Sequence, residues 1–181
     1  MRHYTEKDME THIENYLTDN NEYEKINTQQ QEKFYDKSLC LYSHDFIKFI
    51  KNTQTEKFNI IEKHFKFKAE DRLIKVTSDQ IKLRGVIDVI HNGINEMGQN
   101  FKIVYFSPKS KLNKTHNENY IKNIFSIMRQ FKYSKINQNS VDLCLLINGI
   151  PLFTFELKNT LTNQNHLDAI KQYIEDRNPE E

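Results

Sequence analysis

Two apolar runs, 141–147 and 152–157, flank an Asn148-Gly149 dipeptide, with charged Asp142 and Glu156 inside them and Lys158 directly after the second. Asn-Gly between apolar runs is a strong short-range hairpin signal, because both residues tolerate the positive φ that a tight turn requires. An unpaired charge within a buried strand is costly, so each of the three must be paired or must hold something. Side chains two apart in a strand share a face, which puts Glu156 and Lys158 together, with Phe153, Phe155 and Leu157 opposite. The place of Asp142 depends on the turn. A three-residue loop (Asn148, Gly149, Ile150) pairs Ile147 with Pro151 and Asp142 with Glu156, with Cβ atoms roughly 4.5–5.5 Å apart. A two-residue loop separates the carboxylates onto opposite faces unless a bulge restores them. The three-residue loop or its bulged equivalent is the reading adopted.

The chain of 181 residues suits one domain, 1–181, with a core that needs no disulfide or structural metal. Twelve Phe and nine Tyr exclude a disordered chain. A net charge of +1 gives no bulk signal for nucleic acid, so any such surface must arise from local clustering. Cys40 and Cys144 lack partners at metal-ligand spacing, which points to a reduced, cytoplasmic setting. The seven histidines show no ligand spacing and read as structural or surface residues. No apolar run reaches the length of a membrane span.

Thr5-Glu-Lys-Asp8 is a weak capping box opening a helix whose apolar residues are Met9, Ile13, Tyr16 and Leu17. The polar stretch 22–36 reads as loop or short helix. Ser43 and Thr55 are placed to cap helices carrying Phe46, Ile47, Phe49 and Ile50, then Phe58, Ile61 and Phe65. A further helix covers 71–83, so the first half is mainly helical. After a short apolar run (Val86, Ile87, Val89, Ile90), Gly93 and Gly98 bracket a turn, and 101–106 reads as a strand. Another strand runs through Phe125, Ile127, Phe131 and Tyr133. Leu167, Ile170 and Ile174 mark an amphipathic helix at the end.

Two carboxylates as close as Asp142 and Glu156 suit a hard divalent cation such as Mg²⁺, which takes oxygen ligands at about 2.0–2.1 Å and keeps several waters. Lys158 beside them can position a water or neutralise charge on a phosphate. The same three residues also fit an edge-strand Glu–Lys surface pair with Asp142 flanking it. Lys109, Lys111 and Lys114, with Lys122, Arg129, Lys132 and Lys135, make the most basic region, which is either a phosphate-contacting surface or a solvated loop.

The hairpin with its Asn-Gly-Ile-Pro turn and Glu156-Leu-Lys-Asn159 resembles the nuclease domain of type I restriction enzymes, in the restriction (R, motor) subunit. So do His12-Ile-Glu14, Phe49-Ile-Lys-Asn-Thr-Gln54, Gly85-Val-Ile-Asp-Val-Ile-His-Asn-Gly93 and Tyr105-Phe-Ser-Pro-Lys-Ser-Lys-Leu-Asn113, and, near the end, Asp168-Ala-Ile-Lys-Gln-Tyr173 with Asp176-Arg-Asn-Pro179. The resemblance spans nearly the whole chain. It implies an α/β restriction-endonuclease-like PD-(D/E)xK core, a central mixed β-sheet flanked by helices, and Mg²⁺-dependent hydrolysis of double-stranded DNA in a bacterial cytoplasm. It implies that Asp142 and Glu156 bind metal, with the backbone carbonyl of Leu157 completing the site, and that Lys158 is the catalytic lysine. Gln172 then matches a Gln-x-x-x-Tyr motif supporting DNA contact, and Glu10 matches a helix glutamate that assists the metal. Lys109, Lys111 and Lys114 would meet DNA phosphates. Two positions depart from the pattern: Val141 stands where Pro is frequent, and Asp176 stands in the motif's Tyr position, with Tyr173 adjacent to Gln172 instead.

The family's R subunits act with methylation (M) and specificity (S) subunits and carry an ATP-driven translocase. Here Gly93 to Gly98 has phosphate-loop glycine spacing, but Gln99 and Asn100 replace the needed Lys and Ser/Thr. ATP would therefore act only through domains outside this chain, which reads as an N-terminal part of a longer subunit. The alternative readings of this chain are a non-catalytic DNA-binding or subunit-docking module on the same fold, or a PD-(D/E)xK nuclease with a different role, in repair or a mobile element.

Overall fold

The computed structural model describes residues 5–108, 112–158 and 165–176. Its centre is a four-stranded mixed sheet, order β1-β6-β7-β8, formed by β1 (Glu24–Ile26), β6 (Phe125–Lys132), β7 (Ser140–Ile147) and β8 (Ile150–Phe155). β1 runs parallel to β6, and the remaining pairs are antiparallel. Helices α3 (Ser43–Thr53), α4 (Thr55–Phe65), α5 (Ala69–Arg84) and α6 (Val86–Asn92) pack with the turn end of the β7–β8 hairpin around one apolar cluster. Phe46, Phe49, Ile50, Ile61 and Leu73 lie fully inside it. Two short antiparallel pairs complete the fold, β2 (Tyr35–Asp36) with β3 (Leu41–Tyr42), and β4 (Ile94–Glu96) with β5 (Gln99–Phe101). No helix among the described residues is long and apolar enough to cross a membrane.

The hairpin turn holds the helical cluster and the sheet together. Asn148 and Gly149 both take positive φ, 49° and 76°, the twisted two-residue turn that strand twist favours. Asn148 is completely buried, and its amide is fully used. Its Oδ1 accepts from the Ile124 amide at 2.7 Å, and its Nδ2 donates to the Ile103 carbonyl at 2.8 Å and to Asn123 Oδ1 at 3.0 Å. The Gly149 carbonyl accepts from the Tyr42 amide at 2.8 Å. A Cβ on Gly149 would stand 2.2 Å from the Tyr42 carbonyl oxygen, so only glycine allows this approach to α3.

Several expectations are corrected. α1 (Glu6–Asn20) has its capping box, with Thr5 Oγ1 accepting from the Asp8 amide and Asp8 Oδ2 accepting from the Thr5 amide. Its buried residues, however, are Glu10 and Glu14, while Met9 and Tyr16 are exposed. The 22–36 stretch holds strand β1 as well as helix α2 (Thr28–Phe34). Ser43 and Thr55 do not cap: they are first helical residues, and their hydroxyls donate to the Phe34 and Lys51 carbonyls. The expected 101–106 strand ends at Phe101, and Ile103 and Val104 are buried without a ladder. The Gly93–Gly98 segment is the β4–β5 hairpin, with Met97 and Gly98 at positive φ in its turn. In the last helix, α8 (His166–Lys171) followed by a π-helical turn (Gln172–Asp176), Leu167, Ile170 and Ile174 stand at least half exposed rather than forming a buried stripe.

Asn148→Ala would orphan the Ile124 amide and the Ile103 carbonyl, each costing about 1–3 kcal/mol when buried and unpaired. The expected loss is about 2–4 kcal/mol in urea unfolding, and Gly149→Ala should cost at least as much. Losses below about 0.5 kcal/mol, the level of an ordinary surface substitution, would mean that the turn does not organise the fold.

Candidate functional site

β7 and β8 begin with the two-residue turn, pairing Ile147 with Ile150 and Leu146 with Pro151. The register then shifts between Leu145 and Leu146: Leu145 pairs with Phe153, Cys144 with Thr154 and Leu143 with Phe155. Leu152 is the extra residue of a bulge, which returns the ladder to the alignment that points Asp142 at Glu156. The bulged equivalent of the three-residue loop is the geometry formed. β8 ends at Phe155, two residues before the expected limit, so 156–158 is an irregular segment beyond the ladder.

In that segment the three charged residues meet. Asp142 Oδ2 accepts from the Leu157 amide at 2.6 Å, a side chain taking the place of the next rung. Lys158 Nζ donates to Glu156 Oε1 at 3.1 Å, and both side chains are largely buried. Burial pushes the Asp142 carboxyl above its ordinary value of 3.8. The Leu157 hydrogen bond opposes this, the negative charges of Glu156 and Glu10 add to it, and Lys158 opposes it. The charged form of Asp142 is therefore disfavoured mainly by loss of water, and secondarily by the neighbouring carboxylates.

Glu10 reaches the same neighbourhood from α1. Its Oε2 accepts from Arg129 Nε at 2.8 Å, and its Oε1 accepts from Gln130 Nε2 at 3.1 Å. Gln130 Oε1 in turn accepts from Ser140 Oγ at 3.1 Å. Arg129 pairs with Leu143 and Phe131 with Val141, so Gln130 holds the β6 position facing Asp142, with φ at 50° where the ladder is interrupted. Glu14 follows one turn later on α1 and is paired with Lys25 of β1.

Asp142, Glu156, Lys158 and Glu10 thus come together. Gln172 opens the π-helical turn, and its neighbour Tyr173 places its hydroxyl 3.0 Å from Thr154 Oγ1, two residues before Glu156. Lys114 begins α7 (Lys114–Tyr120) and is exposed, while Lys109 and Lys111 lie outside the described residues. Sequence reasoning missed Arg129 and Gln130 as partners of Glu10. Their only sequence trace was the polar Arg129 interrupting an apolar parity.

Among the described residues no three His, Cys, Asp or Glu side chains cluster closely enough to form an all-protein metal cage. Two carboxylates, with backbone and water oxygens, are nevertheless a donor set that Mg²⁺ takes. The residues fit that ion.

A family model described as the type I restriction enzyme R protein N terminus matches residues 3–181. No curated protein and no solved structure matches the chain.

A raised carboxyl makes the folded state bind its proton more tightly than the unfolded state does. Its contribution to stability therefore falls as pH rises from about the ordinary value, 3.8, through the raised folded value, and is flat above. Asp142→Asn removes that penalty. The variant should melt higher than the parent at pH 8, with the gap closing toward pH 4. A gap that is the same at both pH values would show that Asp142 carries no electrostatic strain.

Proposed function

The chain belongs to the family of type I restriction enzyme R protein N termini, and from that premise we propose that it is the DNA-cutting part of such an R subunit, a PD-(D/E)xK endonuclease domain spanning 1–181. The observation that carries this reading is the convergence of Asp142, Glu156 and Lys158 at the open end of one bulged hairpin. Its substrate is double-stranded DNA, its partners are the M and S subunits, and ATP acts through domains outside this chain.

Asp142 and Glu156 would hold Mg²⁺, with the Leu157 carbonyl as a further oxygen donor. The ion supplies charge stabilisation at a phosphate oxygen and a more acidic water. Asp142 Oδ2 is engaged by the Leu157 amide, so Oδ1 would be the oxygen offered to a ligand. Lys158 pairs with Glu156 and brings the one cationic head of the trio to that carboxylate. From there its ammonium can hold the attacking water by hydrogen bonding and offset negative charge growing on the phosphate. Glu10, gripped by Arg129 and Gln130, keeps a third carboxylate near the pair without surrendering it to solvent. Tyr173, next to Gln172, braces the end of β8 through Thr154, and Lys109, Lys111 and Lys114 are proposed as outlying phosphate contacts.

In the assembled enzyme, Asp142→Ala and Lys158→Ala should each lower DNA cleavage by about 10²–10³-fold or more, the scale on which a single electrostatic stabiliser acts. ATP hydrolysis should persist. Cleavage retained by both variants would overturn the assignment. A parent enzyme that binds DNA but never cuts it would favour the non-catalytic module.

A further inference from the structure

A cleft of about 830 Å³ opens between α1, β1, α2 and β6, with Glu10 in its wall. Two of the carboxylates in its wall are already neutralised: Glu14 by Lys25, and Glu10 by Arg129. What remains is Lys7 of α1, Lys37 beyond β2 and Lys132 at the end of β6, set against Glu32 alone. No salt bridge among the described residues engages any of these three lysines. Lys7 and Lys132 are exposed and Lys37 is half-buried. The surplus is positive, in a chain whose overall charge is only +1.

The cleft shares two wall residues with the surroundings of the candidate site. Glu10 and Gln130 line it, and Gln130 holds the β6 position facing Asp142. The lysines come from three separate parts of the chain, α1, the stretch after β2 and the end of β6, and single charges drawn from separate elements suit a polyanion with many phosphates. Lysine ammonium groups act as point charges that meet successive phosphates without reading bases.

We propose that this cleft carries the phosphodiester backbone of the bound DNA, with Lys7, Lys37 and Lys132 as phosphate contacts leading to Asp142. The inference rests on the nuclease reading, but its test needs no catalysis. Binding of the 181-residue chain to a fluorescent duplex is followed by anisotropy in Ca²⁺ across a salt series, for the parent and for the Lys7→Ala/Lys37→Ala/Lys132→Ala variant. A Lys63→Ala/Lys75→Ala control removes two exposed lysines that do not line the cleft.

The triple variant should bind about tenfold or more weakly at low salt. Its plot of log affinity against log salt should be shallower by about 2.7, since each lost phosphate contact removes about 0.9. The control should keep the parent slope. Undetectable salt-dependent binding by the parent, or an unchanged slope in a triple variant that melts like the parent, overturns the proposal. Weakened binding together with full cleavage by Asp142→Ala would instead leave the cleft standing and remove the catalytic assignment.

Discussion

Asn148 and Gly149 do more than reverse the chain. The Asn148 amide is the meeting point of three segments that are distant in sequence: the start of β6, the irregular stretch around Ile103, and the hairpin itself. Gly149 lets the backbone of the turn touch the backbone entering α3. A left-handed Asn costs little when its side chain is saturated with hydrogen bonds, and a left-handed Gly costs less still. With the turn pinned in this way, the two-residue loop is obligatory. The bulge at Leu152 then becomes the means of recovering the register in which Asp142 points at Glu156. A clean ladder after the same turn would have put the carboxylates on opposite faces of the sheet. The site therefore depends on a tight turn and a compensating irregularity acting together.

The second constraint is electrostatic. α1 spends its inward face on two glutamates, and the sheet answers with Arg129 and Lys25. Buried ion pairs of this kind seldom add net stability over apolar packing. Their consequence is positional: one α1 orientation puts Glu10 against Arg129 and Gln130, and that orientation carries the Glu10 charge to Asp142. A burial-raised Asp142 beside Glu156 is an arrangement that costs folding free energy and favours a cation. Lys158 meets only part of that demand.

Legibility in the sequence followed the physics of each element. The hairpin, the α3–α5 helices and the aromatic core were readable because periodicity and turn chemistry are local. The shared face of Glu156 and Lys158 was readable for the same reason, and the alignment of Asp142 was readable only as a condition on the turn. β1 was not readable, because three residues with one buried Ile26 carry no period and exist as a strand only through pairing with β6. The buried face of α1 was misread because the partner charges that make Glu10 and Glu14 tolerable lie more than ten residues away, Arg129 more than a hundred. Ser43 and Thr55 have N-cap chemistry, but the preceding residues Tyr42 and Gln54 take the cap positions and leave the hydroxyls to other carbonyls.

Bulk charge conceals the most useful electrostatic feature of the molecule. Pairing Glu10 with Arg129 and Glu14 with Lys25 cancels charge inside the cleft, so its exterior potential is set by the lysines left over. Across β6 the sign reverses at Asp142 and Glu156. On the proposed reading a polyanion would be drawn to the first region, and a cation would offset the carboxylates of the second. On that reading, adjacent regions of opposite sign, separated by one strand, would let backbone binding and metal binding reinforce each other. A near-neutral chain can in this way hold a local site for phosphates that its composition does not disclose.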